Sequence, residues 1–124
     1  MSAEDWSPSD LPAVSYIRVA PTTTDQAAHE MECQRAQIAL AADRLRLRMA
    51  DEFVDVGYSG MSTDRPDLNR LLDHVTAYRV GYCVVATRDR LSEDPEHMAE
   101  IDQALDDAEV AIVIAADHIG PAAT

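Results

Sequence analysis

The side chains in this sequence that could do chemistry are arginines and aspartates. Arg18, Arg65 and Arg90, with Asp55 and Asp89, fall in or beside three loops that follow apolar, strand-like runs. Guanidinium groups are planar, permanently charged, and offer paired N–H donors that match phosphate oxygens. Such residues could hold a small phosphorylated anion. His29, His74, His97 and His118 show no metal-ligand spacing and read as surface or semi-buried histidines, so no metal is expected. No cofactor is expected either. Cys33 and Cys83 form no CxxC pair and read as reduced, half-buried thiols, Cys83 within the core.

Several elements must position these residues. Val14–Val19 is β-branched and aromatic and reads as a first strand. Residues 20–27 form a turn-rich loop. A helix is expected from His29 to Arg46, with Met31, Ile38, Ala41, Ala42 and Leu45 on its apolar face. Met49–Val54 reads as a second strand, although no glycine marks the turn before it. In the loop at 55–65, Gly57 and Gly60 serve loop geometry. Pro66 opens the next helix, with Leu68, Leu71, Leu72 and Val75 at helical spacing. Tyr82–Ala86 is a buried strand, and 87–93 a charged loop. Asp94 reads as an N-cap and Pro95 as a first helical position. Met98, Ile101, Leu105 and Ala108 form that helix's buried stripe. Val110–Ala115 is the last strand.

This alternation predicts an α/β fold: a mostly parallel sheet of about four strands with helices on both faces, in three layers. Ligand sites in such sheets form at the carboxyl ends of strands, here the loops at 20–27, 55–65 and 87–93. Residues 1–12, which include Trp6, read as a flexible tail ahead of one domain over 13–124.

The 124 residues suit one small domain. Against 23 acidic residues stand 10 basic ones, all arginine, for a net charge of −13. That field opposes non-specific DNA binding, which depends on cations displacing condensed counterions. No apolar run approaches the ~20 residues that cross a bilayer. The acidic N-terminus has no apolar signal core, so a cytoplasmic protein without membrane contact is expected. Glu93 to Glu109 holds eight acids and no Lys or Arg. It reads as a solvated helix face, with an acidic surface that mimics DNA or meets a basic partner as the alternative.

Three segments carry a family resemblance. Tyr16-Ile17-Arg18-Val19-Ala20 is similar to a Y-x-R-V-S strand end. Phe53-Val54-Asp55-Val56-Gly57-Tyr58-Ser59-Gly60 with Asp64-Arg65-Pro66 resembles F-x-D-x-G-x-S-G…D-R-P. Asp89-Arg90-Leu91-Ser92 matches the first four residues of D-R-L-S-R, and Gln34-Arg35 resembles a recurrent Gln-Arg pair. Together, in order and at matching spacing, they resemble the catalytic domain of serine recombinases, the resolvase/invertase family, over about residues 13–119. That family cleaves DNA through a serine nucleophile, without a metal. The resemblance implies phosphate-facing roles for Arg18, Arg65 and Arg90, with Asp89 beside them and Tyr16, Asp55 and Gln26 in support.

Two departures stand against that chemistry. Ala20 occupies the position of the nucleophilic serine and has no hydroxyl. Glu93 stands where the last motif ends in arginine, and is expected to repel a phosphate or to pair with a neighbouring arginine such as Arg90. Thr22 is a hydroxyl that could substitute; it lies four residues before Gln26, a spacing the family shows from its serine to a loop glutamine. The family's long dimerisation helix and DNA-reading module are not recognisable in these 124 residues.

The leading expectation is therefore a catalytically inactive recombinase-like domain acting through protein contacts, with itself or with a complete recombinase. Alternatives are a DNA-binding or recombination role, alone or beside an active homologue, and a module for a small phosphorylated anion. The fold alone leaves room for an enzyme of different chemistry.

Overall fold

A computed structural model describes residues 11–119. The first strand, β1, runs Pro12–Val19 and is followed by α1 (Thr24–Leu45), β2 (Arg48–Val56) and α2 (Pro66–Ala77). Then come β3 (Tyr82–Val85), a 3-10 turn at Arg88–Arg90, α3 (Pro95–Asp107), β4 (Ala111–Ile114) and the short α4 (Ala116–Ile119). All strand pairings are parallel, in the order β2-β1-β3-β4.

The expected α/β architecture is present. Alternation along β1 divides the core, since successive side chains leave a strand on opposite faces. Val14 and Tyr16 pack with Phe53 of β2 against Leu68, Leu71 and Val75 of α2 and Ile101 and Leu105 of α3. Ala13, Ile17 and Val19 face Ala27, Ile38 and Ala41 of α1 on the other side. β1 is buried on both faces because it is the central strand.

Two helix starts fall where expected. Pro66 opens α2, and the Asp94 side chain caps α3 by accepting from Glu96 N at 3.2 Å. α1 starts five residues earlier than the apolar pattern indicates. Thr23 is its N-cap, its Oγ1 accepting from Gln26 N at 3.2 Å, so the Thr-rich stretch winds into the helix. Leu45 is exposed rather than on the buried stripe, which ends at Ala42. Arg46 closes the helix in the left-handed region at φ 58°, the turn for which no glycine was available.

The strand ends also move. β2 extends to Arg48 and Val56, β3 stops at Val85, and β4 spans only Ala111–Ile114. Pro12 belongs to β1 and not to a tail, because its carbonyl accepts from Gly81 N at 2.9 Å. The rest of the expected tail, with Trp6, lies largely outside the described residues. His97 is buried in α3, deeper than a semi-buried surface histidine. The two thiols are not alike: Cys33 is exposed and Cys83 fully buried. No helix among the described residues is long and apolar enough to cross a membrane.

Candidate functional site

The three loops at the carboxyl ends of β1, β2 and β3 are tied together through backbone atoms. Gly57 N and Tyr58 N donate to Val19 O at 2.8 and 3.2 Å, and Glu93 N donates to Gly60 O at 2.8 Å. Gly57 adopts φ 89°, which favours glycine. Gly60 is required for a different reason: a Cβ there would collide with the Glu93 side chain.

Arg18 leaves β1 on the same face as Tyr16, two residues earlier. Its side chain is 1% exposed. Nε donates to Arg90 O at 3.1 Å, Nη1 to Tyr58 O at 3.2 Å, and Nη2 to Asp89 O at 2.9 Å. Nη2 also donates to Glu93 Oε2 at 2.9 Å. Glu93 therefore pairs with Arg18, not with Arg90. This partner lies 75 positions away and carries no local sequence signal.

Arg65, the residue before Pro66, is completely buried. Its Nε donates to Ser62 O at 3.0 Å, and its Nη1 to Tyr16 Oη at 3.1 Å and Arg90 O at 3.2 Å; Nη2 donates to Leu91 O. The guanidinium also lies 5.8 Å from the Tyr16 ring centre, a cation–π distance. Two buried guanidiniums thus converge on the carbonyls of the 3-10 turn and share Arg90 O as acceptor. Buried charge is tolerated where its donors are met in this way.

Tyr16 Oη donates to Asp55 Oδ2 at 2.7 Å. Burial, reinforced by that bond, raises the Tyr16 hydroxyl well above the usual tyrosine range. Asp55 also serves α2. Its Oδ1 accepts from Asp67 N at 2.9 Å and its Oδ2 from Leu68 N at 3.0 Å. The helix's own N-cap residue, Arg65, makes no side-chain cap. Asp55 supplies the cap from β2 instead, with its charge at the favourable end of the helix dipole.

Asp89 and Arg90 occupy the rim. The Asp89 carboxylate is half-exposed, accepts from the Thr87 hydroxyl, and lies 3.6 Å from Arg90 Nε. Arg90 Nη1 and Gln34 Nε2 both donate to Arg18 O, at 3.3 and 2.8 Å. Gln34 is thereby part of the network, a contact that the sequence left unassigned. Gln26 sits on the first turn of α1 and donates to Glu30 Oε1 at 3.4 Å. Ala20 is exposed just past β1, and Thr22 is exposed in the short loop that follows.

The network therefore brings together Tyr16, Arg18, Asp55, Arg65, the backbone of 89–91 and Glu93. Arg90 is the arginine of the three that opens to a cleft, a space of about 350 Å³ whose lining includes His29, Glu30, Cys33, Gln34 and Thr87. It lies beside the ends of β1 and β3, where the strand order reverses direction. Among the described residues no three His, Cys, Asp or Glu side chains gather as a metal site.

The family model Resolvase, N terminal domain, matches residues 13–123. Among solved structures, the C-terminal catalytic domain of ISC1926 TnpA, an IS607-like serine recombinase, is 24% identical with a TM-score of 0.74, over 85% of this chain and 67% of that one. The corresponding domain of IS1535 TnpA, also an IS607-like serine recombinase, is 30% identical with a TM-score of 0.65, over 82% and 69%. A resolvase family site-specific recombinase from Streptococcus pneumoniae is 20% identical with a TM-score of 0.73, over 88% and 74%. No curated protein sequence matches the chain. With the family match spanning nearly all of it and the sheet shared with serine recombinase catalytic domains, the chain belongs to the resolvase N-terminal domain family.

Proposed function

We propose that this domain is a catalytically inactive serine-recombinase-like module that works through protein contacts, as a regulator or assembly partner in the cytoplasm. One observation carries the reading. Arg18 and Arg65, which the family resemblance assigns to phosphate, donate instead to protein oxygens, Glu93 among them. Ala20 adds no nucleophile to the strand end. Turning both guanidiniums onto a phosphate would break hydrogen bonds that hold the 3-10 turn, and the −13 charge adds a long-range penalty. The expected partner is a second copy of this domain or a complete recombinase.

A labelled DNA duplex followed by fluorescence anisotropy, at low and then rising salt, tests the reading. No binding at low salt, no covalent protein–DNA species on a denaturing gel, and a complex with a complete recombinase in gel filtration are expected. A covalent species would overturn it.

A second reading has its own support, since Arg90 remains at an open cleft. On that reading the domain meets DNA, alone or beside an active homologue, or holds a small phosphorylated anion. Salt-sensitive DNA affinity, or a thermal shift with phosphates, would favour it.

A further inference from the structure

We propose that the cleft between α1 and β2 binds a small neutral phenol, an aromatic ring with one hydroxyl. Ser15 lies at its floor. Alternation along β1 sends this side chain to the α1 face, with Ala13 and Ile17, and its strand neighbour on β2 is Glu52. Ser15 is 4% exposed, and its hydroxyl has no hydrogen-bond partner among the described residues. The unpartnered polar side-chain atoms that are sealed from solvent among those residues are Gln34 Oε1 and His97 Nδ1. Ser15 Oγ is not sealed: it opens on the cleft, where a ligand can reach it.

The walls suit a ring. Ile38 and Ala39 of α1 face Met49 and Ala50 of β2 around a space of about 300 Å³. The two alanines leave room for a flat group, and the half-exposed Met49 offers a polarizable sulfur to its edge. Arg35 stands at the rim. Its Nε and Nη2 donate to Glu52 and its Nη1 to Glu32, so its donors are committed and its flat face is what remains for an aromatic ring.

The same rim selects a neutral ligand. Arg35 is the cation that lines the cleft, and Glu52 already neutralises it. Asp51 adds a carboxylate, which lies 3.5 Å from His74 Nε2. An aromatic carboxylate would meet that charge without a free counter-charge. A phenol is uncharged at neutral pH. Its hydroxyl supplies one donor and one acceptor to Ser15 Oγ while its ring covers the apolar walls.

The test titrates the full chain at neutral pH with phenol, benzene or benzoate and follows backbone amides by two-dimensional NMR. Phenol should give saturable shifts centred on Ser15, Ala39 and Ala50. Benzene, the same ring without the hydroxyl, should bind about two- to tenfold more weakly, the worth of one hydrogen bond. Benzoate should leave these amides unmoved. Ser15→Ala should weaken phenol to the level of benzene and leave benzene unchanged. Ala39→Phe, at an exposed helix position, should fill the cleft and abolish both. Phenol shifts that do not saturate or that centre elsewhere, equal affinity for phenol and benzene, or unchanged phenol affinity in either variant would overturn the proposal.

Discussion

Glu93 Oε2 accepts a hydrogen bond from Arg18 Nη2 at 2.9 Å, so a carboxylate of the chain itself meets the buried guanidinium. The Glu93 side chain is 48% exposed, which screens the pair. Glu93→Gln keeps an acceptor and should cost about 1 kcal/mol in urea unfolding. Glu93→Arg places like charges together and should cost about 2–3 kcal/mol. A Glu93→Arg variant as stable as the parent would show that Arg18 does not depend on this partner.

Restoring the hydroxyl should not restore the reaction. Ala20→Ser is expected to give no covalent DNA adduct, because Arg18 and Arg65 still face carbonyls and Glu93. Denaturing gels after incubation with labelled duplex provide the readout. An adduct from the single variant would mean the arginines turn to phosphate at little cost.

Removing a buried anchor should be far more damaging than removing a rim charge. Arg65→Met removes the guanidinium donor to Ser62 O and Leu91 O and one of the two donors to Arg90 O, and a loss of about 3–5 kcal/mol is expected. Asp55→Ala uncaps α2 and should cost about 2–3 kcal/mol, with faster amide exchange at Asp67 and Leu68. Arg88→Ala, on an exposed pair with Asp102, is expected to change stability by under about 0.5 kcal/mol.

Tyr16 makes the protein sensitive to alkali. Its hydroxyl is raised in the folded state, first by burial, so folding favours the protonated form. That stability is complete below the ordinary tyrosine value of about 10 and is lost as pH rises beyond it. Unfolding free energy should fall above about pH 10, and Tyr16→Phe should remove that component of the fall.

Acid should loosen the contact between α1 and β2. Arg35 Nε and Nη2 each donate to Glu52 at 2.8 Å, and these bonds hold the Glu52 carboxyl below its usual range. The contribution is present above the ordinary glutamate value, about 4.3, and is lost as pH falls through the lowered folded value. Arg35→Gln should flatten the acid limb of the stability profile.

Much of this arrangement could be read from residue order. Apolar runs and their spacing give the alternating strands and helices, and Pro66 and Asp94 mark two helix starts by local chemistry. The start of α1 was hidden because Thr23 serves equally well as a turn residue and as a cap. The partners of Arg18 and Arg65 were hidden for another reason. Most are backbone carbonyls, which every residue carries, so no side-chain type announces them. Gly60 reads as a loop glycine, yet what it accommodates is Glu93, 33 positions away. A carboxylate at 93 could be seen to meet an arginine, but only the loop geometry selects Arg18.

The central position of β1 bears on how the chain is made. Its two neighbours are residues 48–56 and 82–85, each reached only after an intervening helix. During synthesis β1 therefore emerges before the other three strands and waits longest, with one edge open until residues 82–85 have been translated. Non-local parallel pairing of this kind folds slowly and exposes unpaired strand to neighbouring chains. Expression yield should then depend more on temperature and chaperone supply than the stability of the finished sheet alone would indicate.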